Sequence, residues 1–342
     1  MIGREVQLTR YPRGEVERSD FRIAEVEVRE PGPGEVLVRN TWTSVDAGLR
    51  LRLREKGPEG YFVAFPLDAP MAGIMTIGEI VESRADGFEP GDTVWHAAGW
   101  RDYAVVKADE PALAGLGTLA RVDVEAAPPQ AYLGVLGGNG LTAYAGLFRV
   151  GELREGDVVW VSAAAGAVGS LVAQMAKIRG HYVVGSAGSL DKIRYLLDEL
   201  GLDAAFNYKD GALPELLREA APGGIDLYFD NVGGDHLQAA LWSLRPWGRV
   251  AMCGAISEYD AAEPAPGPTN LFQCVANNLT IRGFRGSAHL DLMDQMQREI
   301  SGWLREGRLK YEETVVEGLE NAPEALARLM RGDTTGKTLV RI

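Results

Sequence analysis

DVVWVSAAAGAVGSLVAQMAKIRGHYVVGSAG, Asp157 to Gly188, is the stretch whose reading decides the fold. It opens with an apolar run, passes through a turn of small residues, and then places Val168, Leu171, Val172, Met175 and Ala176 at helical spacing before a second apolar run. That is strand, turn, helix, strand. Outward from it the rhythm continues with a helix at DKIRYLLDELG (191–201), a strand at AAFNY (204–208) and a helix at LPELLREAA (213–221). A strand at IDLYFDNV (225–232), a helix at DHLQAALWSL (235–244) and strands at GRVAMCGAI (248–256) and LTIRGFRG (279–286) complete it. Parallel neighbours need crossover connections, so six short strands joined by helices predict an α/β fold with a doubly wound parallel sheet.

The chain before this region reads differently. Short alternating strands such as EVLVRNTWTS (35–44), GEIVES (78–83) and DTVWHAAGW (92–100) are punctuated by the turns EPGPGE (30–35) and GFEPGD (87–92). We place a β-rich domain at 1–125 and the doubly wound domain at 126–300. Residues 301–342, with LKYEETVV, PEALARLM and KTLVRI, return to the first. A length of 342 residues suits two domains.

A net charge of −13 argues against a nucleic-acid partner, because phosphate binding needs clustered Lys and Arg. The two cysteines, Cys253 and Cys274, form no CxxC pair, which points to a reducing, cytoplasmic compartment. MIGREVQLTR lacks the apolar core of a signal peptide, and no run approaches the roughly 18 apolar residues of a membrane span.

Within the opening stretch Ala164, Gly166 and Gly169 occupy the three glycine positions of GxGxxG. One reading is a phosphate cradle, in which Gly166 admits a pyrophosphate to the backbone and Gly169 lets the helix pack close to the strand. The other is a small-residue turn that merely packs well; position after the first strand of a six-strand series favours the cradle. An NAD site usually carries Asp or Glu at the end of the second strand to hold the ribose 2′-hydroxyl. Here that strand ends with Ser186, Gly188 and Ser189, followed by Lys192 and Arg194. Small hydroxyls with a cation suit a 2′-phosphate, so NADPH is expected over NADH; the alternative is that Lys192 is a solvated helix residue.

His96, His181, His236 and His289 lie far apart, and neither cysteine has partners at zinc-ligand spacing, so no metal site is expected. A carbonyl under reduction then needs hydrogen-bond donors. Tyr259, in CGAISEYD after the fifth strand, is the candidate catalytic donor, or else a tyrosine packed at a domain seam. Asn231, in FDNVGG, either lines the cofactor groove or makes an Asx turn.

AAAGAVGS, FNYKDG, YFDNVGG, CGAISEY and GDTTGKTLV, in this order, together with GWRDYAV and GFEPGD, resemble the zinc-independent medium-chain dehydrogenase/reductases. The nearest branch is the leukotriene B4 dehydrogenase, prostaglandin reductase and alkenal/one oxidoreductase group, which includes bacterial curcumin reductases. The resemblance covers nearly the whole chain. It implies a GroES-like catalytic domain, a Rossmann domain, NADPH as reductant, and reduction of the carbon–carbon double bond of α,β-unsaturated aldehydes or ketones, the small-molecule partner. By matching positions, Gly166, Ala167, Val168 and Gly169 meet the pyrophosphate, and Lys192 and Tyr208 hold the 2′-phosphate. Asn231, Cys253, Gly254, Ala255, Ile256 and Ser257 line the nicotinamide half with Phe284, Arg285 and Gly286.

Tyr259 stands beside the reacting enone. The family's DPYMR reads DAGLR here, Asp46 to Arg50, which alters the pocket wall. Its GDNxGK reads GDTTGK, placing Thr334 where an asparagine contacts the cofactor. Quinone reduction and noncatalytic NADPH binding are the alternative functions. A homodimer is expected, paired through LTIRGF at the edge of the second domain.

Overall fold

The computed structural model describes residues 1–342 apart from 58, 59, 61, 111–118 and 262–265. In chain order the first strands are β1 (Ile2–Leu8), β2 (Phe21–Glu27), β3 (Glu35–Val45), β4 (Thr76–Ser83), β5 (Thr93–His96), β6 (Tyr103–Lys107) and β7 (Ala120–Arg121). Next come α1 (Gly138–Tyr144), β8 (Val158–Val161), α2 (Gly169–Ile178), β9 (Tyr182–Ala187), α3 (Leu190–Arg194), β10 (Ala204–Asn207) and α4 (Leu213–Ala220). These are followed by β11 (Ile225–Asp230), α5 (Gly234–Ser243), β12 (Leu244–Met252), α6 (Phe272–Ala276), β13 (Thr280–Gly283) and α7 (Met293–Arg305). The chain ends with β14 (Glu313–Glu317), α8 (Ala322–Arg331) and β15 (Lys337–Arg341).

Contacts divide the chain into one unit of 1–134 with 313–342 and another of 135–312. In the second unit the strands run in the order β10-β9-β8-β11-β12-β13, all parallel. This is the doubly wound order, with its crevice where β8 and β11 diverge. Each of the six strands read from the alternation is present. In the first unit β1 and β2 form an antiparallel pair, and a seven-stranded sheet runs β14-β15-β3-β4-β5-β7 with β6 on β3. The terminal β15 joins it antiparallel to β3, from Thr338 opposite Val45 to Arg341 opposite Trp42.

The boundaries lie at 134/135 and 312/313 rather than at 125/126 and 300/301. Leu133 is buried with Ile77 and Leu339 of the first unit, which draws 126–134 there. At the other end, Lys310 donates its amide to Gln174 at 2.8 Å, which holds the segment after α7 in the second unit. Among the described residues no helix is long and apolar enough to cross a membrane.

Candidate active site and nucleotide face

The turn after β8 is drawn tight by its own backbone. The Ala164 amide donates to the Ser186 carbonyl at 3.0 Å, that of Gly166 to Ala163 at 3.0 Å, and that of Ser170 to Gly166 at 3.0 Å, where α2 begins. A Cβ on Gly169 would run into the Ala163 carbonyl and lie 2.9 Å from the Ala164 Cα, so only glycine fits there. No side chain caps the N-terminus of α2, whose first turn carries neither acid nor base. Amides of a first helical turn have no carbonyl behind them, and an uncapped N-terminus attracts an anion. Gly166, Ala167, Val168 and Gly169 therefore fit a pyrophosphate.

The strands β9 and β10 end side by side. Ser189 caps α3, accepting from the Lys192 amide at 3.4 Å. The Tyr208 amide donates to Ala187 at 3.1 Å. Its ring crosses Gly188, where a Cβ would stand 3.0 Å from the Tyr208 Cε1 and 3.1 Å from its hydroxyl. Gly188, Ser189, Lys192 and Tyr208 are thus gathered in one place, with Tyr208 38 % exposed. Ser186 is a correction. Its side chain is fully buried, and its hydroxyl accepts from the Trp160 indole at 3.2 Å, so it meets no ligand phosphate. Its neighbours Gly185 and Ala187 are buried as well, because a parallel sheet is covered on both faces.

The third cluster lies at the ends of β11 and β12. Asp230 is fully buried, and its Oδ1 accepts from the Tyr228 hydroxyl at 2.7 Å and from the amides of Val232 and Gly233 at 3.0 and 2.8 Å. The Asx turn belongs to Asp230 rather than Asn231, and Gly233 and Gly234 complete it at φ of 71° and 49°. Asn231 instead donates its side-chain amide to the Ser162 carbonyl at 2.7 Å, while Ser162 Oγ accepts from the Asn231 backbone at 3.0 Å and stands 2.9 Å from the Tyr228 hydroxyl. Burial pushes the Asp230 carboxyl above its ordinary range and the neighbouring Cys253 thiol up to about 12, which leaves that thiol unreactive.

From this turn four backbone bonds run to the next strand's end. Cys253 and Gly254 donate to Asp230, Ile256 to Asn231 and Ser257 to Val232, at 2.8 to 3.2 Å. Tyr259 then folds back so that a Cβ on Gly254 would lie 3.0 Å from its hydroxyl and 3.4 Å from the Asn231 carbonyl. Phe284 donates its amide to Met252 at 3.2 Å and packs edge-on against Phe229, and Gly286 fits against Thr142. Asn231, Cys253 to Ser257, Tyr259 and Phe284 to Gly286 thus share one edge of the sheet. The loop read at 258–270 includes 262–265, which lie outside the described residues.

Sequence reading missed Ser162, Tyr228 and Asp230. For Asp230 the signal was present in D-N-V-G-G, an Asp at a strand's end followed by two glycines three and four residues on.

In the first unit, Asp46 precedes a short 3-10 helix, Ala47–Arg52, without capping it. Its carboxylate instead receives the buried Lys337 ammonium at 2.5 Å and the Ser44 hydroxyl, and Lys337 also donates to Ser44 at 2.6 Å. The segments DAGLR and GDTTGK, read separately in the sequence, are joined here. Thr334 is buried in the turn before β15. No group of three or more His, Cys, Asp or Glu side chains that could hold a metal occurs among the described residues. His96 is buried between Asn40 and the Ala98 amide, and burial draws it down to about 3.

Residues 4–113 match a family described as the N-terminal domain of oxidoreductase, and residues 167–301 one described as zinc-binding dehydrogenase. A 2-alkenal reductase (NADP(+)-dependent) of Nicotiana tabacum is 37% identical over 343 residues, 99% of this chain and 97% of that protein. The NADPH-dependent curcumin reductase of Escherichia coli is 34% identical over 98% of this chain and 95% of that protein. Among solved structures, CurA from Vibrio vulnificus in complex with NADPH superposes with a TM-score of 0.90 at 32% identity, covering 99% of this chain and 98% of that one.

Proposed function

The chain belongs to the zinc-independent medium-chain dehydrogenase/reductases, as an NADP-dependent oxidoreductase, and from that premise we propose that it reduces the carbon–carbon double bond of α,β-unsaturated aldehydes and ketones with NADPH. One observation carries the reading: the Tyr259 hydroxyl is held over Gly254 at the carboxyl end of β12, on the sheet edge it shares with Asn231. Ligands of doubly wound sheets sit at that edge.

In this reading Gly166 to Gly169 hold the pyrophosphate, and Ser189, Lys192 and Tyr208 the 2′-phosphate. Asn231, Cys253 to Ser257 and Phe284 to Gly286 hold the nicotinamide half. NADPH, when bound, supplies a hydride for the β-carbon of the substrate. Tyr259 donates a hydrogen bond to the carbonyl oxygen, where negative charge grows as the double bond is lost. The α-carbon then takes a proton, which leaves a saturated carbonyl. The backbone bonds from Asp230 to Ser257 fix the ground on which Tyr259 stands, so the donor is in place before charge develops.

The test measures oxidation of NADPH and NADH in parallel against a 2-alkenal, an unsaturated ketone and a quinone. The proposal expects turnover with NADPH and the first two, yielding saturated carbonyls. Consumption with the quinone alone would replace it with quinone reduction. Tight NADPH binding without turnover on any substrate would replace it with noncatalytic binding.

We also propose a homodimer paired through the β13 edge. Phe272 and Val275 are 75 % and 70 % exposed beside it, and Trp247, 67 % exposed, is tied to the same region by its amide bond to Asn277. A solution mass equal to one chain would exclude it. A cytoplasmic location belongs to the same proposal, in keeping with two free cysteines.

A further inference from the structure

A file of aromatic rings runs through the second unit to Tyr208. Trp160 of β8 and Tyr228 of β11 are partners across the parallel ladder and stack at 4.3 Å between ring centroids, 24° from parallel. The file continues to His236, in the first turn of α5, whose ring lies 5.9 Å from Trp160 and 19° from parallel to it. Tyr208 meets His236 edge-on, at 5.2 Å and 70°. The file is pinned at its base, because the Trp160 indole donates to Ser186 and the Tyr228 hydroxyl to Asp230. Its far end is the half-exposed phenol laid over Gly188, next to Ser189 and Lys192.

We infer that His236 is a positioning residue for cofactor choice: it serves as the flat wall that holds the Tyr208 hydroxyl toward the 2′-phosphate of NADPH. This rests on the reading that Tyr208 and Lys192 meet that phosphate.

Three features favour a positional role over the usual ones. The His236 side chain is 6 % exposed, so it does not itself reach a ligand phosphate in solvent. Burial draws its imidazole down to about 4, so the ring is uncharged at neutral pH and attracts no anion by charge. Among the described residues its Nε2 has no hydrogen-bond partner, so that nitrogen is not what orients Tyr208. What remains is shape: a planar ring whose edge-to-face contact fixes the tilt of Tyr208. A tyrosine free to rotate would lose part of a hydrogen bond to a charged oxygen, and only a ligand carrying the 2′-phosphate would register the loss.

The experiment measures dissociation constants for NADPH and NADH by nucleotide fluorescence, with melting temperatures, for the full chain and four variants. Tyr208→Phe tests the underlying reading and is expected to weaken NADPH by about tenfold, the scale of one hydrogen bond to a charged group, with NADH unchanged. His236→Leu, which fills the space without a flat ring, is expected to weaken NADPH by about five- to tenfold with NADH within about twofold. His236→Phe restores the preference, because it keeps the ring and removes the unpaired nitrogen. In the double variant His236→Leu/Tyr208→Phe the loss equals that of Tyr208→Phe alone, the mark of one residue acting through the other.

If Tyr208→Phe leaves the preference intact, the reading of the phosphate site fails. If Tyr208→Phe abolishes it but His236→Leu changes nothing, weakens both nucleotides equally, or is not rescued by Phe, the inference about His236 fails. Should His236→Leu not fold, His236→Gln, which also lacks a flat ring, takes its place: a selective loss of NADPH affinity supports the inference, and a retained preference overturns it.

Discussion

The two ends of the nucleotide face are built by different means. From Asp230 to Tyr259 the positions are set by backbone: one buried carboxylate gathers two amides and a phenol, and four main-chain bonds join the ends of β11 and β12. From Gly188 to Tyr208 they are set by side chains, namely a serine cap, a lysine and a tyrosine leaning on a column of rings. The first construction is rigid and places atoms for chemistry. The second is adjustable by single substitutions, which suits the role proposed for it, a choice between two nucleotides differing by one phosphate.

The contrast breaks most severely at Asp230. Asp230→Ala leaves the Tyr228 hydroxyl and the amides of Val232 and Gly233 without their acceptor. Orphaned buried donors cost about 1–3 kcal/mol each, so denaturant melts should lose about 3 kcal/mol or more and turnover should fall with them. A loss below about 0.5 kcal/mol, the scale of an ordinary surface change, would mean the turn is held by something else.

Next in size is Tyr259→Phe. It should lower kcat by about a hundredfold, the lower end for removing an oxyanion donor, and leave NADPH affinity within about twofold. Unchanged kcat, on a substrate whose chemical step limits the rate, would remove Tyr259 from the mechanism. The smallest effect is expected from Lys192→Met at the other end. It should weaken NADPH by about tenfold and spare NADH and kcat, since the contact is one charge-assisted bond to one phosphate. Equal weakening of both nucleotides would assign Lys192 to the fold of α3 instead.

Much of this was legible before any coordinates. Six strands stood out because each is a short apolar run bounded by turn residues, and Gly169 because a helix start cannot pack on its strand with a Cβ present. Ser186 was misread for an instructive reason. It occupies the right position in the strand, but β9 is buried on both faces from Val183 to Ala187, so a hydroxyl close to the strand's end lies inside the sheet, and sequence proximity to that end does not reveal this. Asp230 escaped notice beside the more conspicuous Asn231, since hydrogen bonding to amides two and three residues ahead becomes visible only once the turn is drawn. The bond between Lys337 and Asp46 joins residues 291 apart in sequence, and only the pairing of β15 with β3 brings them together.

Reduction of the double bond is tested most directly by following the hydride. NADPH deuterated at the transferring position is supplied with a 2-alkenal, and the product is read by NMR. The account predicts a saturated aldehyde carrying deuterium on the β-carbon. An allylic alcohol with deuterium on the former carbonyl carbon would contradict it.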